Sequence, residues 1–181
     1  MNIFFLQKEP RDNPKLYMDC HVIKMTLETA QLLCAAHHML LEKPAPDIYK
    51  LTHKNHPCAI WVRQTPENYE YAFWLFHHLL REYKFRFDKT HKCKEKIPSL
   101  SFNPVSQKCI SVERNLFDEI SMVPLAMPDK FKLELAHFEK GYDLHTSKVY
   151  AFVSYRRYYK HKFITLSRNK YTKRTRPIWL A

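Results

Sequence analysis

Apolar residues recur at helical spacing in three stretches of this chain. The first covers residues 19–41 and ends before a pair of prolines, which stop helices. The second begins at Thr65, whose hydroxyl can cap a helix, with Pro66 at the first helical position. The third covers about residues 146–161. This pattern predicts a mainly α protein.

The segments outside these helices have weaker patterns. Residues 1–18 are expected to form a short strand or extended arm, followed by a turn that contains prolines. Residues 45–64 are predicted as a loop or short helix. Residues 88–130 are polar and interrupted by prolines, with short helices predicted near 112–120. No internal repeat or low-complexity segment is present.

The first helix carries a polar stripe on an otherwise apolar surface. At about 100° per residue, its five members fall within roughly 100° of one another. They are His21, Lys24, Glu28, Gln31 and His38. Such a stripe faces either solvent or a polar cavity. A carboxylate beside a lysine and an imidazole can exchange protons, so the second alternative predicts a catalytic site.

Charge changes the picture at the C-terminal end. The chain has 181 residues and a net charge of +12, yet its last acidic residue is Asp143. Residues 144–181 contain ten Lys or Arg and eight aromatic residues. Cations neutralise phosphates and aromatic rings stack on bases, which favours nucleic acid over a solvated tail or an anionic membrane surface. We therefore predict one compact helical domain over 1–181, with 144–181 as its basic nucleic-acid-binding end.

Composition excludes several classes of function. A single glycine, Gly141, does not supply the phosphate-binding loops of a P-loop NTPase or a Rossmann domain. The five cysteines are odd in number and include no CxxC pair, so neither a disulfide scaffold nor a zinc ribbon is expected. The N-terminus does not have the pattern of a signal peptide. We expect a soluble, intracellular monomer without a cofactor.

A second polar group lies between the first two helices. It comprises His53, Asn55, His56 and Cys58, followed by Trp61 and Arg63. Two histidines and a cysteine could bind a metal, but their spacing matches no standard zinc template. The sequence favours a polar loop packed beside the first helix, where an arginine can grip a phosphate, and it predicts no metal site.

Over nearly its whole length the chain resembles a family of uncharacterised proteins of phages and large DNA viruses. The matching segments extend from the N-terminal MNIFFL to Tyr155-Arg156-x-Tyr158-Tyr159. Between them lie Asp19-x-His21-x-x-Lys24-x-x-x-Glu28-x-x-Gln31, the segment 52–63, the residues Glu82-Tyr83-x-x-Arg86-x-x-Lys89-x-His91, and Ala126-Met127-Pro128-Asp129. The resemblance implies a location in the host cytoplasm or nucleus.

More remotely the chain resembles the phage pyrimidine-dimer DNA glycosylases, which are small, basic, all-helical enzymes. In that family a histidine precedes the catalytic glutamate by seven residues, as His21 precedes Glu28 here. The resemblance implies that Glu28 handles the sugar chemistry with support from His21. An N-terminal threonine supplies the amine nucleophile in that family, whereas residue 2 is asparagine here, so the amine would belong to Met1. Lys24 is the other candidate for the nucleophile. Leu27 and Gln31 replace two arginines of the family.

These observations lead to a hypothesis for the site. Glu28, His21, Lys24 and Met1 are the predicted catalytic residues of a DNA glycosylase or lyase that acts on damaged or modified pyrimidines in double-stranded DNA. The predicted nucleic-acid contacts are Gln31, His53, Asn55, His56, Trp61, Arg63, Arg86, His91, Arg156, Tyr159, Lys162, Arg174 and Arg176. Among these, Arg63, Arg86, Arg156 and Lys162 would clamp phosphates, and Trp61 or Tyr159 would stack on an extruded base. The alternatives are an enzyme that modifies bases in viral DNA and a non-catalytic DNA-binding or packaging protein.

Overall fold

The computed structural model describes residues 2–133 and 144–180, with side chains from residue 148 onward in the second range. It confirms a mainly α fold. The α-helices are α1 (Asp19–Leu40), α2 (Pro57–Val62), α3 (Pro66–Phe87), α4 (Ile97–Leu100) and α5 (Leu144–Thr165). Within these described residues, two short strands, β1 (Phe102–Asn103) and β2 (Lys108–Cys109), pair antiparallel, and 3₁₀ turns cover Pro14–Leu16, Lys92–Lys96, Asp129–Phe131 and Ile178–Leu180.

The core forms mainly where α1 packs against α3. The predicted N-cap of α3 is confirmed, since the Thr65 hydroxyl accepts a hydrogen bond from the Asn68 N–H at 3.2 Å. Tyr69, Ala72 and Phe76 are fully buried on the predicted apolar face of this helix. Burying apolar side chains such as these favours the packing of the two helices.

The N-terminal arm is buried rather than draped over the surface. Residues 3–6 are at most 3% exposed, although residues 2–6 form no strand. Among the described residues the arm has no neighbouring strand, and the buried Asn13 side chain instead forms hydrogen bonds with its backbone. Its Oδ1 accepts from the backbone N–H groups of Leu6 and Gln7, and its Nδ2 donates to Tyr71. The arm therefore has a fixed path that brings residue 2 to α1.

The predicted helices near 112–120 are wrong, because the structure has only a turn over residues 117–120 in that stretch. Asn115 Oδ1 accepts from the Phe117 N–H at 3.1 Å, which favours a turn over a continuing helix. Leu116 and Ile120 are fully buried. The burial of these two side chains thus anchors the stretch to the core without a regular helix.

The C-terminal segment folds back onto the start of α1. The backbone N–H of Asp19 donates to the Lys170 carbonyl at 2.9 Å, and the Thr172 hydroxyl donates to the Asp19 carboxylate at 2.7 Å. Tyr171 donates to the Leu16 carbonyl at 3.1 Å, and Leu180 is buried. The basic end is therefore a docked part of the fold, at least over residues 170–172 and 180.

Across residues 2–133 and 144–180, none of the helices has both the length and the apolar character that crossing a bilayer requires.

Candidate active site

A cleft of about 250 Å³ lies where α1, α5 and the N-terminal arm meet. We call it the Glu28 cleft. Its lining residues are Asn2, Phe4, His21, Lys24, Met25, Glu28, Ala126, Tyr158 and Lys162. The first three members of the polar stripe thus face a polar cleft. Gln31 is half-buried outside its lining, and His38 contacts the Tyr49 carbonyl instead.

Glu28 is the carboxylate of this cleft, and two groups hold it in place. Its Oε2 accepts a hydrogen bond from the Asn2 backbone N–H at 3.1 Å, and its Oε1 lies 3.5 Å from Lys24 Nζ. The Glu28 side chain is 13% exposed, whereas that of Lys24 is 66% exposed. The carboxylate is therefore fixed and largely shielded, while the amine reaches into solvent.

Asn2 is the residue that assembles the cleft. Its side-chain amide donates to the Ala126 carbonyl at 2.8 Å, and its Oδ1 accepts from the hydroxyl of Tyr155 at 3.3 Å and the thiol of Cys58 at 3.6 Å. These contacts join the arm to α2, α5 and the loop before the Asp129–Phe131 turn. We did not predict Asn2 as a site residue. The apolar run over residues 3–6 was the signal that could have found it, because burying that run carries residue 2 into the interior.

His21 lines the cleft as a neutral imidazole. Its Nδ1 lies 2.9 Å from the Tyr159 hydroxyl, which accepts from the Met18 N–H at 2.7 Å. Because that hydroxyl already accepts from Met18, we assign its single proton to the hydrogen bond with Nδ1, which gives the His21 tautomer with its proton on Nε2. Burial, followed by the charges of Lys162 and Lys24, lowers the pKa of His21 to about 4. His21 can therefore donate a hydrogen bond at neutral pH without adding charge.

The α5 wall of the cleft combines a cation with an aromatic ring. Lys162 Nζ lies 4.7 Å from the centroid of the Tyr158 ring and 6.0 Å from that of Phe4. Tyr158 is half-buried and its ring also contacts Phe131. Lys162 was predicted as a phosphate contact, whereas Tyr158 was missed. The spacing of four residues between them, which places both on one helical face, was the available signal.

In the loop before α2, His56 interacts electrostatically with Glu28 of the cleft. His56 caps α2 by accepting from the Cys58 N–H at 3.2 Å, and burial lowers its pKa despite the opposing charge of Glu28. His53 and Asn55 are exposed in the same loop. Arg63 donates to the Lys54 carbonyl at 2.7 Å, so one of its guanidinium nitrogens braces this loop. The predicted catalytic Met1 lies outside the described residues.

The prediction that Trp61 or Tyr159 stacks on an extruded base is wrong. Trp61 is 2% exposed and Tyr159 is fully buried, so neither ring is open to an extruded base. Trp61 packs edge-on against Phe5 and Tyr71, and the Tyr159 hydroxyl supports Met18 and His21. Their apolar surface stabilises the core.

The predicted phosphate contact of Arg86 is also wrong, because this side chain is not free to bind a phosphate. Its side chain has no exposed surface. Every guanidinium nitrogen is engaged: Nε with Glu82, one terminal nitrogen with the Tyr17 carbonyl and Asp19, and the other with two further backbone carbonyls. Arg86 joins α3 to the start of α1 and has no donor left for a ligand.

The other residues predicted to contact nucleic acid lie at separate positions and do not line the Glu28 cleft. His91 caps the Lys92–Lys96 turn away from the Glu28 cleft, and Arg156 donates to the Leu6 carbonyl at 3.0 Å. Arg174 is paired with Glu82 at 2.8 Å, whereas Arg176 is exposed beside the Phe163 ring.

Part of the C-terminal positive charge is used inside the protein. Lys148 is 1% exposed and donates to the carbonyls of Phe117 and Asp118. Lys173 pairs with Asp88 at 2.6 Å. Exposed cations remain along α5 and the following segment, among them Arg157, Arg168, Lys170 and Arg176. The surface available to phosphates is thus narrower than the ten cations suggest.

Two buried imidazoles predict a loss of stability in acid. Burial lowers the pKa of both His21 and His37 to about 4, below the ordinary 6.5. The unfolded chain therefore binds more protons between these values, so the free energy of unfolding should fall as the pH drops from 6.5 towards 4. At about 1.36 kcal/mol per pKa unit, each group contributes up to about 3 kcal/mol.

Urea unfolding at several pH values tests this expectation. His21→Gln should lose its share of the pH dependence. His53→Gln, which makes the same change at an exposed histidine, is the matched control. Identical pH dependence in wild type and His21→Gln would contradict the expectation.

The described residues contain no cluster of three or more His, Cys, Asp or Glu arranged to hold a metal ion. No protein-family model matches this chain, and comparisons with curated proteins and with solved structures likewise give no match.

Proposed function

We propose that this protein is a DNA base-processing enzyme of the glycosylase type, acting on damaged or modified pyrimidines. The observation that carries the proposal is the shielded Glu28 carboxylate in a cleft that two lysines and a neutral histidine also line. A volume of about 250 Å³ is below the roughly 300–1,000 Å³ typical of sites for drug-sized ligands. It suits one extruded base with its sugar.

The chemistry required is cleavage of the bond between base and sugar. As that bond breaks, its electron pair leaves with the base and positive charge develops on the sugar. The Glu28 carboxylate would stabilise this charge, and the Nε2–H of His21 would donate to the departing base or to the sugar oxygen. If an imine forms, the amine of Lys24 or Met1 would attack the sugar carbon as the base leaves. The bond between that carbon and the ring oxygen would then break, with the oxygen taking up a proton and the attacking nitrogen losing its protons.

The cleft also offers a place for the extruded base. Enzymes that cleave bases from a duplex rotate the nucleotide into a pocket and stack the base on aromatic or apolar side chains. Tyr158 lines the cleft and is half-buried, so it takes the stacking role assigned earlier to Trp61 or Tyr159. Lys162 lies beside this ring and would hold an adjacent phosphate.

Borohydride trapping on damaged and modified duplexes tests the proposal. A glycosylase with lyase activity should release base and leave a reduced covalent adduct, whose tryptic peptide identifies Lys24 or Met1 as the amine. Base release without an adduct would retain the glycosylase and exclude the imine. A base altered without release would support the modifying enzyme, and binding without any chemistry would support the non-catalytic protein.

The exposed C-terminal cations predict a strong salt dependence of DNA binding. Each phosphate contact contributes about 0.9 to the slope of log K against log salt on duplex DNA. Arg157→Gln with Arg168→Gln should therefore reduce the magnitude of that slope by up to about 1.8. The matched control is Lys43→Gln with Lys50→Gln, which removes two exposed cations outside the cleft. Equal slopes for the two double variants would contradict the expectation.

A further inference from the structure

A second and larger concavity lies on α3, away from the Glu28 cleft. Its volume is about 720 Å³, and we call it the α3 groove. It is bounded by the C-terminal half of α3, the segment around residues 11–15 and the loop at 173–174. The lining residues are Arg11, Lys15, His78, Arg81, Glu82, Lys84, Phe85, Asp88, Lys173 and Arg174. None of them lines the Glu28 cleft.

The α3 groove has an excess of positive charge. Six of its lining residues are Lys or Arg and two are acidic. Three of the cations are already paired: Lys15 with Asp12, Lys173 with Asp88 and Arg174 with Glu82.

Three further cations of the groove are exposed, and no ion pair involves them within the part of the chain that the structure describes. They are Arg11, Arg81 and Lys84. Arg81 and Lys84 are three residues apart on α3, so they project from one side of the helix. With Arg81 and Lys84 on the α3 wall and Arg11 on the segment around residues 11–15, the groove favours an anionic ligand with several phosphates over a single small anion.

An exposed aromatic ring lies among these cations. Phe85 is 45% exposed. The Arg174 guanidinium lies 4.4 Å from the centroid of its ring and is held by two hydrogen bonds to Glu82. The ring is therefore fixed by a charged partner rather than by the apolar core. Fixed aromatic and guanidinium groups beside free cations are the pattern that holds stacked bases and their backbone.

We propose that the α3 groove binds a single-stranded nucleic-acid segment, with Arg81, Lys84 and Arg11 on its phosphates and Phe85 against a base. A duplex presents no unstacked base to Phe85, and an acidic peptide gains nothing from an exposed ring of this kind. Binding in the groove needs no chemistry at Glu28, so it stands independently of the function proposed above.

Fluorescence anisotropy with a labelled oligothymidylate of about 12 nucleotides, within the span of known single-strand sites, tests the groove. Arg81→Ala with Lys84→Ala should weaken binding at least tenfold and reduce the magnitude of the salt slope by about 1.4, at roughly 0.7 per phosphate. Phe85→Ala should weaken binding about fivefold or more, and Phe85→Trp should restore it because the larger ring preserves stacking.

The matched control is Lys43→Ala with Lys50→Ala, which lowers the net charge equally outside the groove. Equal weakening by this control and by the groove variant would overturn the proposal, since it would show a general charge effect. Unchanged affinity in both Phe85→Ala and the groove variant would also overturn it. So would a groove variant that loses binding to poly-glutamate and keeps binding to the oligonucleotide, because the groove would then be a protein-docking site. A protein that shows no base release yet gives the expected series here refutes only the glycosylase function.

Discussion

Glu28→Gln should abolish base release from damaged or modified duplexes while leaving DNA affinity within a few-fold of wild type. The wild-type carboxylate accepts from the Asn2 N–H and lies 3.5 Å from Lys24 Nζ. Glutamine keeps the shape and can still accept from Asn2 through its carbonyl oxygen. It has no negative charge to stabilise the developing sugar cation and no proton to exchange. Loss of a positioned acid–base group costs typically 10²–10⁴-fold in rate.

Affinity should survive because the exposed cations of α5 and the C-terminal segment supply most of the attraction to phosphates. The control is Glu42→Gln, which removes an exposed carboxylate just beyond α1 with the same change of charge. Single-turnover base release and equilibrium binding should be measured on the same duplexes with both variants. Equal base release by Glu28→Gln and wild type would remove Glu28 from the mechanism. Equal loss in both variants would assign the effect to net charge.

The three long helices could be predicted from the sequence because their signals are local. The predicted Thr65-Pro66 start of α3 is confirmed, and α1 ends one residue from its predicted end. The third helix extends to Thr165, four residues beyond the predicted end. Its basic and aromatic composition gives no clear stop signal, and no glycine follows it.

The site could be predicted only in part, because it depends on contacts between distant segments. The stripe residues His21, Lys24 and Glu28 do line one cleft, since a single helix sets their relative positions. Asn2 and Ala126 reach the same cleft from positions 124 residues apart, which no local pattern reveals. Burial caused the errors at Trp61, Tyr159 and Arg86. An aromatic or arginine side chain has the same chemistry in the core as at a surface, and the sequence does not distinguish the two locations.

The buried ion pairs of Arg86 are expected to contribute strongly to the stability of the fold. Its guanidinium pairs with Glu82 at 2.7 Å and with Asp19 at 3.0 Å, and the side chains of these partners are 5% and 14% exposed. Although burial raises the pKa of Glu82, hydrogen bonds from Arg174 and Arg86 hold it below its ordinary value. Glu82 therefore carries a buried negative charge that depends on its two arginines.

Arg86→Met should lower the free energy of unfolding by about 3–5 kcal/mol, because removing one partner leaves a buried charge uncompensated. Methionine retains much of the volume, so the loss reports charge and hydrogen bonds more than a cavity. Arg174→Met is the matched control: it removes the other partner of Glu82, but its side chain is 31% exposed, so a smaller loss is expected. Adding Glu82→Gln to Arg86→Met should recover part of the stability, since the unpaired charge disappears. Urea unfolding of the four proteins, with the salt slope of DNA binding measured in parallel, separates this role from a phosphate clamp. A stable Arg86→Met protein with a reduced salt slope would show that Arg86 leaves its buried network to bind DNA.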